Sequence, residues 1–289
     1  MRAPDPRLFS IGPFTVYWYG VLIVTGATLA AYITSRLSRR NGHNPDIAWN
    51  LLIVLLVTGI IGARLYHVVD KWEYYRQNPG QIIGLQMQGF GIYGAVAGGA
   101  LGLWAYCRQA KLRFLEWADY TAPGLLLAQS IGRWGNFFNQ ELYGFPTDLP
   151  WGVYIAPEHR LEQFATYERF HPTFLYESVL CFIGFAILLY LARNWRKNRM
   201  YGDIFFLYFV IYPIVRFFTE FQRPDAWIIL GMPTAQWISI ICVLIFTSLL
   251  IVRRKLRRPS MIYTPGEPWQ PAEAAEDSAP DEHNDDKPA

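Results

Sequence analysis

Seven stretches of this chain, near residues 14–35, 47–69, 89–107, 115–138, 173–192, 201–221 and 235–252, are apolar over nearly their whole length. A hydrocarbon core about 30 Å thick is crossed by roughly 20 residues of α-helix. In lipid every backbone N–H and C=O must be satisfied within the segment, which leaves helices and closed barrels as the spanning structures. Runs of this length, without strict apolar–polar alternation, therefore predict an all-α integral membrane protein, a bundle of about seven transmembrane helices. Charge agrees: only 17% of the 289 residues are Asp, Glu, Lys or Arg, where a soluble domain carries about 25%. The first run has no cleavage-like site and exceeds a signal-peptide core, so it counts as a span. Gly89, Gly91, Gly94, Gly98, Gly99 and Gly102 punctuate the third. We read them as close helix packing rather than as a broken segment lining a cavity.

The basic residues alternate between the loops. Arg36, Arg39 and Arg40 follow the first span, Arg108, Lys111 and Arg113 the third, and Arg193, Arg196, Lys197 and Arg199 the fifth. Arg253, Arg254, Lys255, Arg257 and Arg258 follow the seventh, while the opposite loops hold only scattered Arg and Lys. The positive-inside rule then puts the N-terminus outside and the C-terminus in the cytoplasm. Residues 1–258 form the membrane domain in this reading, with a small external cap at about 139–172. Residues 259–289, rich in Pro, Ala, Glu and Asp, read as a disordered cytoplasmic tail. Cys107, Cys181 and Cys242 are far apart, the five histidines lack ligand spacing, and a net charge of +3 is too small to argue for nucleic acid. No metal and no cofactor is expected.

Ionisable residues inside the spans carry the functional information. Arg64, Asp119, Arg133, Glu177, Asp203, Arg216 and Glu220 all fall in or at the ends of apolar stretches. An Arg or Asp at a helix centre costs roughly 2.5–3.5 kcal/mol on insertion scales, so each needs a partner or a hydrated cavity. For Asp119 and Asp203, near span ends, snorkelling or helix–helix ion pairing suffices. Tyr212, Arg216 and Glu220 recur at four-residue spacing and share one helix face, with Glu220 a natural counterion for Arg216. The segment from Gly132 to Gly144, GRWGNFFNQELYG, is denser still. Arg133, Asn136 and Gln140 share a face if the helix persists that far, and Asn139, Glu141 and Gly144 crowd its outer end. Guanidinium groups bind phosphate oxygens bidentately, so the cluster suggests a site for an anionic lipid headgroup.

Those thirteen residues resemble the signature of the prolipoprotein diacylglyceryl transferases, of the form GRxGNFxNxExxG. Tyr17-Trp18-Tyr19-Gly20, Gly62-Ala63-Arg64-Leu65, His171-Pro172-Thr173-Phe174-Leu175-Tyr176-Glu177, and the series Tyr212, Arg216, Phe217, Glu220, Phe221 and Arg223 are similar to other parts of the family pattern. The similarity runs from about residue 11 to 256. It implies a multi-pass enzyme of the bacterial inner membrane that moves the sn-1,2-diacylglyceryl group of phosphatidylglycerol to the lipobox cysteine of a preprolipoprotein, releasing glycerol 1-phosphate. It also implies phosphate contacts from Arg133 and Arg216, headgroup positioning by Asn136, Glu141 and Gly144, hydrogen bonds from Tyr19 and Tyr212, and support of Arg216 by Glu220. His171 and Glu177 are assigned to a network at the helix start. One position departs: many members read a histidine where this chain has Tyr93. A tyrosine with an ordinary pKa near 10 is a poor base at neutral pH, so Tyr93 is either a hydroxyl participant in catalysis or an aromatic filler among glycines. Rival readings are an anion transporter, which the absence of matching halves argues against, and a non-catalytic scaffold that pairs with acidic lipids.

Overall fold

The computed structural model describes residues 1–12, 14–82, 89, 91–195, 197–256 and 261–264. Seven long helices appear among the described residues: α1 (Trp18–Arg39), α2 (Asp46–Asp70), α4 (Ile92–Gln109), α5 (Phe114–Asn139), α6 (Thr173–Asn194), α7 (Asp203–Glu220) and α8 (Thr234–Lys255), with the short α3 (Trp72–Gln77) after α2. By length and composition α1, α2, α6 and α8 are apolar enough to cross a membrane. Glycine dilutes the hydropathy of α4, and ionisable residues that of α5 and α7. Short antiparallel strand pairs complete the fold: β1 (Arg7–Ile11) with β2 (Phe14–Tyr17), β3 (Val153–Tyr154) with β4 (Arg169–Phe170), and β5 (Ile228–Ile229) with β6 (Met232–Pro233).

Three helix starts differ from the hydropathy reading. The first apolar run begins at 14, yet residues 14–17 are strand β2, because Ile11, Ser10 and Phe9 pair with Phe14, Thr15 and Val16. The helix starts only at Trp18, whose N–H meets the Pro6 carbonyl at 3.0 Å. The third run begins at Gly89, where φ is +86°, and Gly91 is extended, so α4 starts at Ile92. Gly202, at φ +92°, is left-handed and delays α7 to Asp203. Arg257 and Arg258 lie outside the described residues. Of the stretch read as tail, so do 259, 260 and everything from 265 onward. Met261–Thr264 are described, and they pack: Tyr201 N–H donates to the Met261 carbonyl and Tyr263 N–H to that of Arg199. The Tyr263 ring lies under the Arg199 guanidinium at 4.1 Å, with its hydroxyl on Asn41 Oδ1.

The chain divides into two compact units, one of residues 1–53 and 115–265, the other containing 54–114. In the first, α1 and α5 approach through small residues. A Cβ on Gly124 would stand 2.9 Å from the Ala30 Cα, and one on Gly26 would stand 3.1 Å from that of Ala128. Ala122, Leu126, Cys181, Phe185, Leu188, Ile204, Tyr208 and Val215 form a core shared by α5, α6 and α7. Helix α8 joins through Phe209 and Phe246, stacked at 4.5 Å. Asp119, buried in α5, accepts from Arg199 Nη2 at 3.1 Å and from the N–H groups of Gly202 and Phe205, both at 2.9 Å. It thereby satisfies the first turn of α7. Asp203 accepts from Met200 N–H at 2.8 Å and Arg254 Nη2 at 3.0 Å. These two acids are thus in ion pairs between elements, the pairing alternative of the sequence reading.

The cap is small and has its own core of Tyr143, Val153, Ile155, Phe170 and Phe174. The Tyr143 hydroxyl donates to the His159 carbonyl and accepts from Leu161 N–H, both at 2.8 Å. Burial pushes its pKa above the ordinary tyrosine value. In the second unit Gly62 of α2 faces Gly94 and Gly98 of α4. Arg64 donates to the carbonyls of Ile82 at 3.0 Å and Gly89 at 3.2 Å.

A Cβ on Gly62 would stand 3.0 Å from the Gly98 Cα, with backbone rather than a flexible side chain in the way. Gly62→Ala is therefore expected to force the helices apart and to destabilise the protein by about 1–3 kcal/mol. Thermal unfolding in detergent checks this, and an unchanged Tm would refute close backbone contact between α2 and α4.

Candidate functional site

The site is built where the C-terminal end of α5, the first turn of α6 and the last turns of α7 converge in the first unit. Arg133 lies two turns before the end of α5 and Arg216 one turn before the end of α7. Glu177 comes one turn into α6. Its Oε1 is 2.6 Å from Arg133 Nη2, and its Oε2 accepts from Arg216 Nη1 at 3.0 Å. The second terminal nitrogen of Arg216 pairs with Glu220 Oε2, one helical turn on. Glu177 and Glu220 are both buried. Arg223, just past α7, is held by Asp225 at 3.2 Å. A small cavity is lined by Arg133, Asn136, Thr173, Glu177, Arg216 and Arg223, and its volume of about 10 Å³ is the room of a single water.

Asn136 is buried on the same side of α5 as Arg133, and its Nδ2 donates to Glu141 Oε1 at 2.9 Å. Asn139 Nδ2 reaches the same oxygen at 3.3 Å. The chain doubles back here: Glu141 N–H donates to the Asn136 carbonyl at 3.0 Å. Gln140 and Leu142 both take left-handed backbone, each at φ +54°, a conformation that costs a non-glycine residue on the order of 1–3 kcal/mol. Such strain concentrates at functional sites. The expected shared face of Arg133, Asn136 and Gln140 is therefore corrected at its last member. The helix ends at Asn139, the left-handed turn rotates Gln140 away, and its Oε1 accepts from Ala156 N–H in the cap at 2.7 Å. Gln140 instead borders a larger, open cavity of about 340 Å³ beside Arg2, Asp5, Arg7 and Tyr154.

The remaining candidates of the first unit fall around this centre. The Tyr19 ring covers Gly135, where a Cβ would stand 2.6 Å from Tyr19 Cε2, and it lies within electrostatic range of Glu141 and Arg133. Tyr212 sits one turn before Arg216, stacked on Tyr208 at 5.9 Å and 9°. Tyr208 in turn accepts from Gln129 Nε2 at 2.9 Å. Gly144 has a packing role: its N–H donates to the His171 carbonyl at 2.9 Å, and a Cβ would stand 2.7 Å from that of His171. His171 Nδ1 is 3.1 Å from the Tyr176 hydroxyl. Tyr93 belongs to the second unit. It is 64% exposed, and its ring tilts against Tyr66 at 5.8 Å.

Sequence reasoning undervalued Glu177, the carboxylate that joins the two arginines. The available signal was an acidic residue one turn into an apolar helix, whose charge had to find partners. Arg223 was visible only within the family pattern, and Thr173 had no chemical signal of its own.

A family model for prolipoprotein diacylglyceryl transferase matches residues 6–252. The chain is similar to the phosphatidylglycerol–prolipoprotein diacylglyceryl transferase of Chloroflexus aggregans, at 42% identity over 88% of this chain and 91% of the relative. It is similar as well to the proteins of that name from Lysinibacillus sphaericus, at 40% identity over 90% and 96% of the two chains, and from Trichormus variabilis, at 39% over 82% and 86%. With a family match over most of its length and relatives near 40% identity, this all-helical membrane chain belongs to the prolipoprotein diacylglyceryl transferase family.

Proposed function

We propose that this protein transfers the sn-1,2-diacylglyceryl group of phosphatidylglycerol to the lipobox cysteine of a preprolipoprotein, the first step of bacterial lipoprotein maturation. The observation that carries this reading is the convergence of Arg133 and Arg216 on one buried carboxylate beside a cavity. Two guanidinium groups held this close form a receptor for a phosphate, and each has N–H donors beyond those engaged by Glu177 and Glu220. Their position near helix ends supports a site for a lipid headgroup.

In the proposed step the acceptor thiol gives its proton to Glu141, Tyr93, water or the phosphate itself, and the thiolate attacks the terminal carbon of the diacylglyceryl group that bears the phosphate. A C–S bond forms, the C–O bond breaks, and its electron pair stays on the phosphate oxygen. The phosphodiester monoanion becomes a monoester, glycerol 1-phosphate, with growing negative charge. Arg133 and Arg216 stabilise that charge more in the transition state than in the diester, which is the condition for catalysis rather than mere binding. Asn136 and Glu141, bonded to each other, position the headgroup. Gly144 keeps the following turn close to the start of α6, Tyr19 and Tyr212 donate hydrogen bonds, and Glu220 steadies Arg216. Tyr93 offers a hydroxyl at the position where the family often has histidine, and its assignment rests on that pattern alone. The basic loops support an external N-terminus and a cytoplasmic C-terminus, which puts the arginine cluster and the cap on the outer side, where secreted precursors emerge.

The primary test is a purified-protein assay with phosphatidylglycerol vesicles and a lipobox peptide, scored by mass spectrometry for a diacylglyceryl thioether. A peptide lacking cysteine is the control, and no thioether from a folded protein would overturn the reading. Arg133→Ala and Arg216→Ala are expected to lower kcat/KM by at least about 100-fold while inserting normally. Lysine should rescue neither, because an ammonium lacks the bidentate fork; wild-type rates in the lysine variants would remove the clamp. The nucleophile belongs to the substrate, so replacing Cys107, Cys181 and Cys242 together by alanine should leave transfer within about threefold, the scatter expected of residues outside a site. Loss of transfer in a folded triple variant would contradict that. Tyr93→Phe should slow transfer by about tenfold and alter its pH dependence. An unaltered profile would leave this ring only its packing against Tyr66.

A further inference from the structure

Glu177 is the one carboxylate among the described residues that contacts both arginines, each through a different oxygen. It is 4% exposed and stands on α6, between the helices that carry its partners. Around the cavity Arg133, Arg216 and Arg223 are matched by Glu177, Glu220 and Asp225. With Glu141, bonded to the cavity-lining Asn136, three guanidinium groups meet four carboxylates, so the cluster carries no excess positive charge before any lipid arrives.

We infer that Glu177 is a positioning residue that couples Arg133 to Arg216 as one clamp and sets the charge of that clamp. The inference rests on the phosphate-clamp reading above. Two arginines on separate helices repel one another, and each side chain has several rotamers to lose on ordering. A carboxylate with one oxygen on each guanidinium fixes their separation and removes the repulsion. It also offsets part of their charge, so a monoanionic diester is held only moderately, while the extra charge of the leaving monoester is met by donors already aligned. Binding strength withheld from the ground state and expressed in the transition state raises kcat rather than lowering KM.

This differs from a purely structural ion pair in what Glu177→Gln would do. The isosteric amide accepts from one arginine through its oxygen, but its NH₂ faces the other, donor against donor. The clamp then opens and gains positive charge. The expected result is a kcat lowered by at least about tenfold with a KM for phosphatidylglycerol that is unchanged or lower, and tighter inhibition by glycerol 1-phosphate. Glu177→Asp keeps the charge but is one methylene too short to bridge. It is expected to lower kcat with KM and product inhibition unchanged, and it carries the test if the amide variant fails to fold by thermal unfolding in detergent. Glu220→Gln, which leaves the bridge intact, should lose less kcat than Glu177→Gln.

A wild-type kcat in a folded Glu177→Gln or Glu177→Asp protein would overturn the inference. So would a raised KM with kcat intact, since that is the behaviour of a simple binding contact. Wild-type protein is assayed in parallel. If it forms no thioether, the functional reading fails; if it does and the Glu177 variants match it, only the positioning role fails.

Discussion

The ionic bridge from Arg133 through Glu177 to Arg216 is the constraint around which α5, α6 and α7 are arranged. Glu177 and Glu220 are buried, and a buried charge left without a partner costs several kcal/mol. Once α5 carries Arg133 and α7 carries Arg216, a carboxylate must stand between them, and α6 supplies it one turn from its start. The three helices then meet in a fixed order with a shared apolar core beneath. Removing one partner of a buried pair leaves an uncompensated charge, so the bridge holds the helices in register as well as holding the arginines. Glu220 adds a second restraint within α7 itself.

The opposite end of the same helices is closed by a different use of charge. Asp119 lies 14 residues before Arg133 in α5, about 21 Å along a helix at 1.5 Å per residue. Its oxygens are consumed by Arg199 and by the N–H groups of Gly202 and Phe205, while Asp203 Oδ2 accepts from Met200 N–H and Arg254 Nη2 and its Oδ1 lies 3.8 Å from Arg253 Nη1. These acids cap a helix start and anchor arginines before α7 and in the last turn of α8 that sequence reading assigned to topology alone. The two ends differ in one respect that bears on function. Asp119 is held in part by backbone N–H donors, whereas Glu177 and Glu220 at the other end are paired with guanidinium side chains.

The seven long helices were legible because apolar length is a local property, and so was the shared face of Tyr212, Arg216 and Glu220, which a period of about 3.6 residues fixes. What local reasoning missed depends on distant partners. Residues 14–17 are as apolar as the helix that follows, and only pairing with residues 9–11 makes them a strand. Gln140 has the spacing to join Arg133 and Asn136, but the chain turns left-handed at that residue to meet Ala156. Glu177 is 39 residues from Arg216 in sequence, and nothing in its neighbourhood announces a bridge. Its charge within an apolar helix and its place in the His171–Glu177 stretch of the family pattern are the signals, and neither names the partners it meets.

The turn after α5 explains how a cap made of short strands contributes to a site made of helices. Leu142, left-handed at φ +54°, presents its carbonyl to the Thr173 hydroxyl at the first residue of α6. Two residues later Gly144 lies against His171 closely enough that a Cβ would need the backbone to move. The strained corner is thus clamped between the end of α5 and the start of α6, and Glu141, at its centre, is bonded to Asn136 and Asn139 of α5. Local strain of this kind persists only where the surroundings over-determine it. Here both sides of the corner are helices already locked by the Glu177 bridge, so the polar groups beside the arginines sit on rigid elements rather than on a free loop, the condition under which a charge cluster selects one geometry of its ligand.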